Sequence, residues 1–232
     1  MTHVKAFAAK EQAAPLNDFD IERRAVGPGD VQIDIAYCGV CHSDLHMVNN
    51  DWGISAYPIV PGHEIIGHVT GVGANVENFK KDDRVSVGCF VDSCRTCEAC
   101  KVHLEQYCLN GFKMTYGSET DDPGGLTFGG YSKNIVVDHN YVIRVPDNLD
   151  MASSAPLACA GITTYSPLKH WNVRPGQTVG IIGLGGLGHM GVKFAHAMGA
   201  RTIMITTSPK KGEDAKTLGA DDVLLSTDAK QM

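Results

Sequence analysis

The chain has 232 residues, 43% hydrophobic and 20% charged, which excludes a disordered or collagen-like polymer and leaves room for one large or two small folded domains. Twenty-six acidic against 20 basic side chains give a net charge of −6, and no lysine- or arginine-rich block could neutralise a phosphate backbone, so neither nucleic acid nor a membrane surface is an expected partner. No run approaches the roughly 20 apolar residues that cross a bilayer, and MTHVKAFAAKEQAAP lacks a secretory pattern, so a cytoplasmic location is expected.

In chain order, the first half is predicted to be β-rich. Short apolar or alternating runs at 31–36, 66–72, 85–87 and 131–137 are separated by glycine, proline and aspartate turns, as in a small sheet or barrel. An alanine-rich stretch, 151–164, is predicted to be a helix carrying Cys159. From Thr178 the pattern is strand (178–183), glycine turn, helix, strand (202–206), the end of a second helix (214–220) and strand (221–225). That is the opening of a parallel α/β domain. The change of character predicts domains 1–150 and 151–232, with a cysteine lobe at 89–112 in the first.

Gly183-Leu184-Gly185-Gly186-Leu187-Gly188 matches G-x-G-x-x-G between a predicted strand and a predicted helix. Glycines there allow a tight turn and let backbone N–H groups and a helix N-terminus approach a pyrophosphate, so a dinucleotide site is expected. A binder of unphosphorylated cofactor usually carries an acid about 20 residues beyond the first glycine. Here Ile205 to Lys211 reads ITTSPKK, with no acid, and Thr207, Ser208, Lys210 and Lys211 can donate to a 2′-phosphate. NADP is therefore expected over NAD. Lys210 and Lys211 are equally compatible with a solvated helix start.

Four of the eight cysteines, Cys94, Cys97, Cys100 and Cys108, fall within fifteen residues. Without an export signal, that density points to thiolate ligands rather than disulfides, and four sulfurs suit a closed structural zinc. The spacing fits a bacterial iron–sulfur run poorly. Thiol exchange at Cys94-x-x-Cys97 is a further alternative, made less suitable by the two additional cysteines. Cys41, His63, Glu64 and Cys159 form a second candidate set, able to leave one zinc position open for an alcohol or carbonyl oxygen. Ser43 and His46 could carry the alcohol proton towards solvent, or be ordinary local polar residues.

The segments GVCHSDLH (39–46), GHEIIGHVTGVG (62–73), the cysteine lobe, CAGITTY (159–165) and GLGGLGH (183–189) together resemble the zinc-dependent medium-chain dehydrogenase/reductase family, in its cinnamyl alcohol dehydrogenase-like branch. The resemblance implies a β-rich GroES-like catalytic domain followed by a Rossmann domain, incomplete here because members of the family are longer. It implies catalytic zinc on Cys41, His63 and Cys159, with Glu64 as an alternating or fourth ligand. Ser43 would bond the substrate hydroxyl and join a relay through the cofactor ribose to His46. His42 would lie near the cofactor phosphates, with Thr163 and the 183–188 turn also binding cofactor, and Trp52 would border the substrate pocket or simply pack. The implied activity is hydride transfer between NADP(H) and a primary alcohol or aldehyde, aromatic or medium aliphatic. The early end implies loss of the second nucleotide-binding half and of the family's homodimer edge, and leaves a noncatalytic zinc-binding scaffold as the alternative.

Overall fold

The computed structural model describes residues 1–231 and separates into two units, Met1–Cys159 and Ala160–Met232. In the first unit an antiparallel hairpin, β1 (Thr2–Ala8) and β2 (Asn17–Arg23), precedes β3 (Asp30–Cys38), helix α1 (His42–Asn49), β4 (Ile65–Val72) and β5 (Arg84–Val87). The lobe that follows holds β6 (Phe90–Asp92), the one-turn helix α2 (Glu98–Lys101) and β7 (Lys113–Met114), after which come β8 (Asn134–Asp138) and β9 (Ile143–Arg144). Five strands form one antiparallel sheet in the order β8-β3-β4-β5-β9. Its core is β-branched: Val31, Ile33, Ile65, Val69, Val85, Val87, Ile135 and Val137 are all buried. Each such side chain contributes about 1.5–3 kcal/mol relative to exposure, and the stiff branched rotamers suit the pleat.

The run predicted as a strand over 131–137 pairs as β8 only from Asn134. The residues before it have other partners: Ser132 bridges to Ala6 of β1, with Phe7 N donating to Tyr131 O and Lys133 N to Lys5 O, while the backbone N–H groups of Gly129, Gly130 and Tyr131 donate to the carbonyls of Val60, Gly62 and Pro61. This braces the turn that presents His63.

The helix predicted over 151–164 is broken. Asp150 caps α3 (Met151–Ser154) by accepting from Ser153 N at 2.8 Å, a 3-10 turn covers Ala155–Ala158, and α4 (Ala160–His170) starts afresh. Pro156 explains the break, since it has no N–H to continue the ladder and its ring crowds the preceding turn. Cys159 is left at the corner with φ −126° and ψ −71°. Met151 and Ala155 pack on Ile66 and Val145 within the first unit.

The second unit continues with β10 (Thr178–Ile182), α5 (Gly186–Ala197), β11 (Arg201–Thr206), α6 (Pro209–Thr217) and β12 (Asp222–Leu225). The three strands are parallel in the order β10-β11-β12. Val192, Met204, Ala215 and Ala220 form its small core, with Ile181, Leu184, Leu218 and Val223 against them. The fold is thus α/β, with a GroES-like β-rich unit and a partial Rossmann-like sheet. Among the described residues no helix is long and apolar enough to cross a membrane.

Candidate active site and metal clamp

The first cluster is built around the start of α1. Cys41 is its N-cap in extended conformation (φ −109°, ψ 151°), and the Asp44 carboxylate, three residues on, accepts from Cys41 N at 2.9 Å. Asp44 is buried and also accepts from Gly62 N at 3.0 Å and from the Tyr131 hydroxyl at 2.9 Å. One carboxylate therefore fixes both the Cys41 turn and the turn leading into His63. The broken helix brings in Cys159, whose Sγ lies 3.9 Å from Cys41 Sγ. Ligand atoms of Cys41, His63 and Cys159 all lie within 4.8 Å of one another.

These three residues fit zinc. A Zn–S bond of about 2.3 Å in a tetrahedron separates two sulfurs by about 3.8 Å, close to the observed spacing. His63 Nε2 is buried with no hydrogen-bond partner among the described residues, while its ring stacks on Tyr116 with centroids 5.6 Å apart. Without a cation the donors compete for protons. Contact with Cys89, then burial, push the Cys159 thiol up, and burial raises Cys41. Burial opposes charge on His63, but contact with Cys159 and the carboxylates of Asp44 and Glu64 outweigh it and hold the imidazole above its ordinary value. Donors of this kind surrender protons when a metal binds.

The remaining expected residues surround this trio in the first unit. Glu64 is buried beside His63, but its carboxylate is outside the set of mutually close ligand atoms. Ser43 Oγ lies 3.5 Å from Cys41 Sγ. His46 Nδ1 meets the Asp51 carboxylate at 2.8 Å, and its ring lies 5.6 Å from that of the exposed His42 and 5.1 Å from that of the half-exposed Trp52. Sequence reasoning missed Asp44, Asp51, Cys89 and Tyr131. The Cys41-x-x-Asp44 spacing at a helix start could have revealed Asp44 as a cap; Cys89, held below the usual thiol range by its contact with Cys159, and Tyr131 carry no comparable local signal.

The second cluster is the lobe. Sulfurs of Cys94, Cys97, Cys100 and Cys108 lie within 4.8 Å of one another, with Cys94 and Cys100 at 3.9 Å, again matching a tetrahedral metal. Cys97 caps α2, and backbone N–H groups point at sulfur: Cys97 N at Cys94 (3.3 Å), Cys94 N at Cys108 (3.5 Å) and Leu109 N at Cys97 (3.5 Å). The N–H groups of Thr96 and Cys97 pull the Cys94 thiol down to about 5. At Cys100 the Ser93 hydroxyl acts in the same direction, yet burial and contact with Cys97 and Cys108 push the thiol up to about 11. Such a spread within one cluster is what a dication would collapse.

In the second unit Gly183 has φ +85°, and a Cβ on Gly188 would overlap the Gly183 carbonyl oxygen, so both positions need glycine. A Cβ on Gly185 or Gly186 would meet nothing within 4 Å, leaving an open cradle at the N-terminus of α5, with Leu187 in its first turn. Gly183 N donates to Ile205 O at 2.9 Å, so the glycine turn and the end of β11 share one edge of the sheet. There Ser208 caps α6, accepting from Lys211 N at 3.5 Å, and Thr207, Lys210 and Lys211 are exposed. Thr163 is exposed on α4. Open glycines at a helix start and hydroxyl and lysine side chains without an intervening acid fit a phosphorylated dinucleotide.

Residues 27–147 match the family model described as the alcohol dehydrogenase GroES-like domain, and residues 186–232 the one described as zinc-binding dehydrogenase. The chain is 54% identical over 228 residues to a probable mannitol dehydrogenase of Fragaria ananassa, covering 97% of this chain and 63% of that one. It is 54% identical over 230 residues to the aldehyde reductase YahK of Escherichia coli (strain K12), covering 99% and 66%. The crystal structure of the CAD from Helicobacter pylori complexed with NADP(H) superimposes with a TM-score of 0.93 at 46% identity, covering all of this chain and 66% of that one. The chain thus spans about two thirds of the length of these proteins. With both candidate metal-ligand sets and the glycine turn set on this fold, the chain belongs to the zinc-dependent medium-chain dehydrogenase/reductase family, in its cinnamyl alcohol dehydrogenase-like branch.

Proposed function

We propose that the chain carries the zinc and nucleotide sites of an oxidoreductase that moves hydride between NADP(H) and a primary alcohol or aldehyde, aromatic or medium aliphatic. The carrying observation is the Cys41–His63–Cys159 trio with its buried, unpartnered His63 Nε2. Three protein donors leave one position of a tetrahedron for substrate, whereas the four sulfurs of the lobe close theirs. Zinc in the trio supplies Lewis-acid polarisation of the substrate oxygen, and NADP(H) supplies or accepts the hydride.

The chain's own residues do the rest. Asp44 holds the Cys41 and His63 turns in place through its bonds to Cys41 N and Gly62 N. Ser43, beside Cys41 Sγ, takes the hydroxyl proton in oxidation and returns it in reduction. His46, whose Nδ1 is held by Asp51 at the surface, exchanges that proton with solvent. Trp52 offers an apolar wall, and Glu64 is a reserve ligand. Backbone N–H groups of Gly183, Gly185, Gly186, Leu187 and Gly188 receive the pyrophosphate, Thr207, Ser208, Lys210 and Lys211 the 2′-phosphate, and His42 and Thr163 complete the cofactor contacts. In domain terms, residues 1–150 carry the catalytic role, with the clamp at 89–112, and residues 151–232 contribute Cys159 to the trio and bind cofactor.

The test is NADPH oxidation by the zinc-loaded 232-residue chain with a small aromatic aldehyde, against a chelated control. Zinc-dependent turnover that disappears in Cys41→Ala and His63→Ala is the expected outcome. Turnover that survives either substitution would overturn the mechanism, and a folded, zinc-loaded chain with no turnover would support the noncatalytic scaffold.

A further inference from the structure

Two side-chain links tie the cysteine clamp to the main sheet, one on each side of Cys94. Before it, Ser93 Oγ lies 3.3 Å from Cys100 Sγ and accepts a hydrogen bond from the Tyr141 hydroxyl at 2.6 Å. After it, Arg95 pairs with Asp92 at 2.6 Å and with Asp138 at 2.5 Å. Asp138 ends β8 and caps the 3-10 turn His139–Tyr141 by accepting from Asn140 N. Tyr141 in turn packs against the main core. Ser93 and Cys100 are 7% and 6% exposed, so water competes little for the contact between them.

Counting protons fixes the direction of the first link. Tyr141 has a single hydroxyl proton, and it goes to Ser93 Oγ. The Ser93 proton is then free for Cys100 Sγ, and a metal-bound thiolate can only accept. A hydroxyl donating to an anionic sulfur is a charge-assisted bond, strengthened when that hydroxyl itself accepts from another. Outer groups of this kind orient metal ligands and typically govern metal retention.

We infer that Tyr141 and Ser93 form a serial hydrogen-bond relay into the Cys100 sulfur, making both positioning residues of the clamp that slow loss of its metal. The inference rests on reading the clamp as a metal site. The test loads the full chain with cadmium-113, whose all-sulfur site resonates downfield of a site containing histidine. Ser93→Ala moves the all-sulfur line, leaves the other line in place, and speeds release of clamp metal to a chelator about tenfold. Tyr141→Phe moves the same line less, because Ser93 keeps its own proton. The double variant matches Ser93→Ala alone, since the relay runs in series. An unmoved line, or additive shifts in the double variant, overturns the inference. Tyr141→Phe removes one oxygen and keeps the ring, so it still decides the matter if Ser93→Ala does not fold. A folded, cadmium-loaded chain without an all-sulfur line would refute the metal reading itself.

Discussion

Asp44 does more for the first cluster than any of the ligands can do for itself. Its carboxylate accepts from two backbone N–H groups and one hydroxyl, on three separate segments. Asp44→Ala strands those donors, and a cost of about 3 kcal/mol or more is expected in urea unfolding of the metal-free chain. Asp44→Asn keeps the volume and some acceptor capacity and should lose less. A second residue-scale prediction concerns pH. Burial opposes charge on Asp138, but bonds from Asn140 and Arg95 prevail and hold its carboxyl below the ordinary value. A depressed carboxyl stabilises the fold fully above its unfolded pKa, near 3.9, and the contribution fades as pH falls through the lower folded value. Asp138→Asn should therefore cost about 1 kcal/mol at neutral pH, after solvent screening, and progressively less below about pH 4 in unfolding titrations. At this scale the two candidate ligand clusters were legible because Cys and His are chemically distinctive, and the fold brings each cluster together. Asp44 and Tyr131 were not, because their role exists only where distant turns converge.

At the scale of elements, the glycine turn separates two effects that a motif merges. Gly188→Ala forces a side chain onto the Gly183 carbonyl oxygen and should lower thermal stability together with affinity for NADPH. Gly185→Ala meets no protein atom, so it should leave stability unchanged while filling the cradle and weakening NADPH by about tenfold or more in fluorescence titration. The α/β alternation after Thr178 was readable because each strand is a continuous apolar run followed by glycine or by a capped helix. The break at Pro156 was overlooked for the opposite reason: alanine content suggested one helix, whereas a proline N–H is missing from the ladder where α3 gives way to the 3-10 turn that ends at Cys159. Likewise 131–133 has strand-like residues, but its backbone bridges to β1 at Ser132 and meets the Val60–Gly62 loop at Tyr131 N, so the ladder of β8 begins only at Asn134.

For the whole molecule, the unequal cores set the hierarchy of stability. The first unit buries an eleven-residue cluster around β3, β4 and β5, and the second a four-residue cluster around β11. Amides of β3 and β4 should be the slowest to exchange with deuterated solvent, and those of β12 among the fastest in regular structure, as hydrogen exchange by mass spectrometry would show. Chelation should expose the lobe near Cys97 and Cys108 to proteolysis while the five-stranded sheet stays protected, because the lobe's helix is one turn long and its ligands substitute for a core. Two-part organisation was visible in the sequence from the change of periodicity. The packing of Met151 and Ala155 on Ile66 and Val145 was not, because it joins segments far apart in the chain.

The two ligand sets differ in how far apart along the chain their members stand. Cys94 and Cys108 are 14 positions apart, whereas Cys41 and Cys159 are separated by 118. On a ribosome, the clamp can close once Cys108 has emerged, but the trio must wait for the last residue of the first unit. The order of assembly is thereby set by chain separation: the four clamp sulfurs can meet before the trio is complete, and the trio closes on a sheet whose strands have all preceded Cys159.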